Sequence, residues 1–78
     1  GFWRYPTSIG VFRILPHYGR YRAMLDDENL GTFSTPRRAL GTILAGGIAA
    51  SSNTAEVARR LPKDLRDWAF VRARRQDH

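Results

Sequence analysis

The chain contains no cysteine, which rules out both disulfide staples and cysteine-ligated zinc as ways of holding a small protein together. Histidine is almost as scarce: His17 and His78 lie far apart, with no acidic cluster beside either, so no metal site is expected. Lysine is reduced to Lys63. No run approaches the roughly 20 apolar residues needed to cross a bilayer. The longest candidate, Ile43 to Ala50, is short and broken by Gly46-Gly47. That glycine pair also follows a helical pattern instead of preceding one, so it is no phosphate-cradling loop. The expectation is a chain without cofactor, metal or membrane partner, located in the cytoplasm.

What is present points to a small globular domain. A chain of 78 residues makes one domain and buries only about 60% of its unfolded surface. Its hydrophobic fraction of 42%, with 12% aromatic, is that of a globular and not a disordered sequence. The formal net charge is +6, and 12 of the 13 basic residues are arginine. A guanidinium binds phosphate or carboxylate through a planar fork and stacks on aromatic rings, which suits nucleic acid or an acidic partner. GC-rich coding would also favour arginine over lysine, but would not set the sign of the charge.

Residues 1–8 read as an aromatic lead-in carrying Phe2, Trp3 and Tyr5. Residues 9–73 read as a single small α+β domain, and 74–78 as a basic tail. Ile9 to Leu15 is rich in β-formers, with Phe12 and Ile14 on one face and Val11, Arg13 and Leu15 on the other. Pro16 to Gly19 reads as a turn. In Arg20 to Leu25, Tyr21, Ala23 and Leu25 alternate with Arg20, Arg22 and Met24. Asp26 to Asn29 is a polar turn, and Leu30 to Ser34 a further strand with Phe33 inward.

A helix follows, capped by Thr35, opened by Pro36 and closed by Gly46-Gly47. Its apolar stripe is Ala39, Leu40, Ile43 and Leu44. Gly41 inside it suggests close packing on the sheet. Asn53 and Glu56 form a capping box for a second short helix through Arg60, stopped by Pro62. Trp68 to Ala73 suits a strand by its aromatic and β-branched content, while Leu65, Trp68 and Val71 also fit a helical stripe. The predicted architecture is a small three- or four-stranded antiparallel sheet with one helix packed on one face and a second short helix.

A helix on one face leaves the other open, and Arg13, Arg20 and Arg22 should project from that open face, flanked by Tyr18. Such a surface could track a phosphate backbone, or it could be an ordinary solvated face. Arg72, Arg74 and Arg75 form a second basic cluster that could add non-specific affinity for nucleic acid. Trp3, Tyr5 and Trp68 offer the alternative, a protein-interaction or homodimer surface, unless they are core. Asp26, Asp27 and Glu28 are consecutive and look like turn residues. Asp64 and Asp67 flank Lys63 and Arg66 and should cap or pair. Ser51-Ser52, His17 and Asp26 make only a nominal triad, since nothing in the sequence fixes their geometry.

Tyr18-Gly19-Arg20-Tyr21-Arg22-Ala23-Met24-Leu25, then Leu30-Gly31-Thr32-Phe33-Ser34-Thr35 and Ala39, resembles the plant ethylene-response-factor DNA-binding domain. Related three-strand modules occur in phage and integrase proteins. The resemblance implies a three-stranded sheet backed by a helix that reads the DNA major groove, with Arg20, Arg22 and Tyr18 facing DNA. The same pattern, extended by Leu61-Pro62 and Asp64-Leu65 before Trp68, also resembles small bacterial ββ(β)α proteins of unknown role, which implies no activity. The expected function is that of a small non-enzymatic basic binding module. Its partner is DNA or RNA at the arginine face, or alternatively a protein or a second copy of the chain.

Overall fold

The computed structural model describes residues 1–46 and 52–72. Five antiparallel strands make one sheet: β1 (Phe2–Thr7), β2 (Gly10–His17), β3 (Arg20–Leu25), β4 (Glu28–Phe33) and β5 (Ala69–Val71). Their order across the sheet is β4-β3-β2-β1-β5. The first four strands are therefore a meander of hairpins, and the last returns to pair with the first. Helix α1 (Pro36–Leu44) packs against β2, β3 and β4, and α2 (Ser52–Arg59) packs against α1. The fold is α+β, as expected, with one strand more than the three or four foreseen. Among the described residues no helix is long and apolar enough to cross a membrane.

The extra strand comes from the segment read as a lead-in. Trp3 pairs with Ile14 and Tyr5 with Phe12, so the aromatic side chains of β1 extend the core face of β2. Proline cannot donate to a ladder, yet Pro6 lies within β1. It lies opposite Val11, whose N–H and C=O both engage Asp26 on the other side. Pro6 is thus a non-hydrogen-bonded partner, and its nitrogen points beyond the end of β5. Pro16 likewise sits near the end of β2, which continues to His17 where a turn was expected. The turn proper is Tyr18-Gly19 alone, both residues having positive φ, 49° and 77°. This is the twist-matched geometry of a two-residue hairpin.

The core lies between the sheet and α1. Phe12, Ile14 and Ala23 from the sheet and Ala39, Leu40 and Ile43 from α1 are buried, with Leu25, Leu30, Ala58, Leu61 and Trp68 completing the cluster. The period-two reading of β2 and β3 therefore holds, and Phe33 packs on the same core. A register shift after Ala23 pairs Ala23 with Gly31 and Met24 with Asn29. Leu30 is the unpaired residue of this bulge, and it is buried. Trp68 anchors the C-terminal segment, with Nε1 donating to the Pro62 carbonyl at 3.1 Å and its ring tilted against Tyr5.

The helix ends follow their chemistry. Thr35 caps α1 by accepting from the Arg38 N–H at 3.1 Å, Pro36 opens it, and Gly46 leaves it in the left-handed region at φ 73°. Three expectations are corrected. Gly41 does not pack on the sheet: it is exposed, and a Cβ there would meet nothing within 4 Å. It falls on the solvent side of the stripe. Asn53 is not a cap, because α2 already begins at Ser52 and the capping position falls on residue 51, outside the described residues. Glu56 pairs instead with Arg60 at 2.9 Å, one turn on. The last strand begins at Ala69, because Trp68 closes a short 3-10 turn over Leu65–Asp67.

Asp64 caps that turn, accepting from the Arg66 N–H at 2.9 Å and from its guanidinium at 3.0 Å. The Arg66 side chain, and then its backbone N–H, hold the Asp64 carboxyl below its ordinary value. A folded pKa below the unfolded one contributes stability that is present above about pH 4 and is lost as pH falls through the folded value. Carboxyl NMR should therefore place the Asp64 midpoint below 3.8, and Asp64→Asn should remove that share of acid sensitivity. Gly41→Ala should stabilise the fold by about 1 kcal/mol, since helical glycine is disfavoured and the site is open. A melting experiment should read this as a rise of about 4–8 °C.

Candidate functional site

The same alternation that sends Phe12, Ile14 and Ala23 into the core sends their neighbours to the opposite face of the sheet, on which no helix packs. Strand β1 contributes Phe2 and Arg4, β2 contributes Val11, Arg13, Leu15 and His17, and β3 contributes Arg20, Arg22 and Met24. Ala69 and Val71 of β5 and Thr32 of β4 complete the rows. Arg13, Arg20 and Arg22, the three arginines singled out from the sequence, share this face.

Arg4 joins them. It pairs directly with Arg13 across the β1–β2 ladder, on two adjoining inner strands. Sequence reasoning missed it because β1 was taken as a lead-in. The signal was there in the alternation Phe2-Trp3-Arg4-Tyr5, which sets Arg4 one step out of phase with two core aromatics. Like charges directly opposite one another in a ladder are destabilising. Among the described residues the ion pairs are Arg60–Glu56 and Arg66–Asp64, and neither touches this face. A shallow depression lined by Phe2, Arg4, Val11, Arg13, Asp26 and Asp27 lies at its β1–β2 side.

Two of the arginines are oriented by neighbours with which they form no ion pair. The Arg13 guanidinium donates to the Asp26 backbone carbonyl at 2.7 Å. The Asp26 carboxylate itself accepts from the Val11 N–H at 2.9 Å and crosses over Gly10, where any side chain would collide with it. The Arg22 guanidinium contacts His17 Nε2 at 2.6 Å. A guanidinium can only donate, so in this contact Nε2 is the acceptor. The Nε atoms of Arg13 and Arg22 are shielded from water and have no hydrogen-bond partner. Both side chains therefore lie along the sheet with part of their donor capacity unused.

His17 and Asp26 sit at opposite ends of the β2–β3 hairpin, so the nominal triad with Ser51-Ser52 is not assembled. Residue 51 lies outside the described residues. Tyr18 stands at the hairpin tip, 93% exposed, with its ring edge-on to His17. Arg72 is exposed just beyond β5, while Arg74 and Arg75 lie outside the described residues. The aromatic set divides. Trp68 is core, and Trp3 and Tyr5 pack against the core on the helix side, so Trp68 offers no surface. Phe70, which was not singled out, is the exposed aromatic there at 52%, edge-on to Trp3.

The chain matches no protein-family model, no curated protein and no solved structure.

Tyr18 adopts a left-handed backbone conformation that costs a residue with a Cβ about 1–2 kcal/mol and that asparagine tolerates. Tyr18→Asn should therefore stabilise the hairpin by about 1 kcal/mol in denaturant titrations, with the tip aromatic lost from the surface.

Proposed function

We propose that this is a non-enzymatic binding module that contacts nucleic acid through the open face of its sheet. The observation that carries the reading is the cross-strand Arg4–Arg13 pair, with Arg22 on the adjoining strand and no ion-pair partner for any of them among the described residues. Opposed guanidiniums repel until an anion lies between them, and a phosphate backbone supplies such anions at regular spacing. Arg20 at the hairpin and Arg72 beyond β5 extend the positive field on either side.

A protein or homodimer interface through Trp3, Tyr5 and Trp68 has less support. Trp68 is buried, and Trp3 and Tyr5 are partly buried by packing against the core cluster. Pairing two copies by their open faces would set arginine against arginine.

The test is fluorescence anisotropy of labelled nucleic acid, both duplex and single-stranded, over a salt series. Four neutralised phosphates give a log–log slope of about −3 to −4. Arg4→Ala and Arg13→Ala should each weaken binding and make the slope shallower by about one. Arg59→Ala, on α2 at the other side of the molecule, should change neither. Binding that ignores salt, or that Arg59→Ala weakens as much as Arg13→Ala, would remove this reading.

A further inference from the structure

Three features of the arginine-bearing face discriminate between a duplex and a single strand. The first is width. Four inter-strand spacings of about 4.8 Å make the sheet about 19 Å across, whereas a major groove about 12 Å wide admits a helix or a two-stranded ribbon. Arg4 and Arg13 stand on β1 and β2, with β5 outside one and β3 and β4 outside the other. To lower those arginines onto base edges, the flanking strands would have to pass through the groove walls.

The second feature is what lies between the cations. Phe2, Val11, Leu15, Met24 and Val71 occupy the same face as Arg4, Arg13 and Arg22, and each is half-buried, not fully covered. A duplex laid on a flat surface presents phosphates and sugars and hides the faces of its bases. An unpaired strand presents phosphates along one edge and base faces along the other. Apolar side chains interleaved with guanidiniums match the second pattern, because every base has a π-face that an aromatic side chain or an arginine can stack on.

The third feature is juxtaposition. Phe2 and Arg4 are two residues apart on one face of β1, and both line the shallow depression that Arg13 also borders. A ring and two guanidiniums on adjoining strands thus meet in one concavity, whose lining also includes Asp26, its carboxylate engaged by the Val11 N–H, and Asp27. Tyr18, nearly fully exposed at the tip of β2–β3, places a second ring at the hairpin end of the face, edge-on to His17.

We infer that the open face takes a single-stranded nucleic acid laid across the strands, from β5 toward β3. Its phosphates meet Arg4, Arg13 and Arg22, and a base stacks on Phe2 in the depression beside them. This rests on the nucleic-acid reading of the same face and narrows it to the unpaired form, the opposite of the groove-reading duplex mode that the sequence resemblance implies.

Anisotropy titrations of the whole chain with a labelled mixed-sequence strand of about 12 nucleotides, as DNA and as RNA, and with the duplex of the same sequence, decide it at one moderate salt concentration. The single strand should bind about tenfold more tightly than the duplex. Phe2→Ala should lower single-strand affinity about tenfold and leave the weak duplex binding unchanged. Phe2→Leu, which keeps apolar volume in the sheet without a ring, should show most of the same loss, with an unchanged far-UV spectrum reporting an intact fold. Duplex binding as tight as single-strand binding would overturn the inference while leaving the nucleic-acid reading in place. Single-strand binding indifferent to both Phe2 variants would overturn the stacking site. Absence of binding to either form at low salt would overturn inference and reading together. So would polyglutamate competing as well as the unlabelled strand, since the face would then be responding to charge alone.

Discussion

A chain of this size can cover one face of its sheet and not two, and the rest of the molecule follows from that limit. The apolar stripe of α1 is spent on Phe12, Ile14, Ala23 and Leu25, and α2 is spent on α1. Nothing further among the described residues is available to lie on the other side. Because side chains alternate along a strand, every core residue of β1, β2 and β3 has neighbours that must face outward. What those neighbours are is then unconstrained by packing and free to be set by use. In this chain they are arginines separated by apolar residues of moderate size.

The open face differs from an ordinary solvated sheet surface. A solvated face is expected to mix charges of both signs, so that cross-strand pairs contribute to stability. Here the acidic residues nearest the arginines are gathered in the β3–β4 turn. Asp26 is engaged with a backbone amide, and it presents its carbonyl to Arg13, not its carboxylate. Arg22 leans on the His17 imidazole. Each arrangement orients a guanidinium and leaves its charge available. The strained backbone of Tyr18 belongs to the same pattern. A residue that exposes a large ring in a conformation suited to glycine or asparagine is held there against local preference, and such sites tend to be places of use.

Much of this was legible in the sequence, and the failures have physical causes. The alternation in Val11–Leu15 and Arg20–Leu25 gave the two faces of the sheet correctly, because burial of one face enforces period two. Thr35, Pro36 and the stripe from Ala39 to Leu44 marked α1, because caps and apolar spacing are local properties. Residues 2–7 were read as an aromatic lead-in because one of their two partners, β5, is distant in sequence and only three residues long. With β1 unrecognised, Arg4 was invisible, and so was the arginine pair at the centre of the site. Trp3, Tyr5 and Trp68 could not be sorted by sequence, since core and surface use of an aromatic residue look alike. Their tertiary neighbours decided it. Gly41 shows the converse error, a close approach inferred from composition where the helix simply faces water.

The pairing of β5 with β1 sets Phe2 opposite Val71. The fold thus starts and finishes at one point on its perimeter, side by side and running in opposite directions. A polypeptide path of this kind is almost a closed ring. Spliced into an exposed loop of a larger protein, it would leave the host chain where it arrived, and the two flanks of the host would remain as close as they were. The same geometry lets a short linker join Phe2 to Val71 while a new break is opened at a hairpin, so the order of elements could be rotated with the architecture retained.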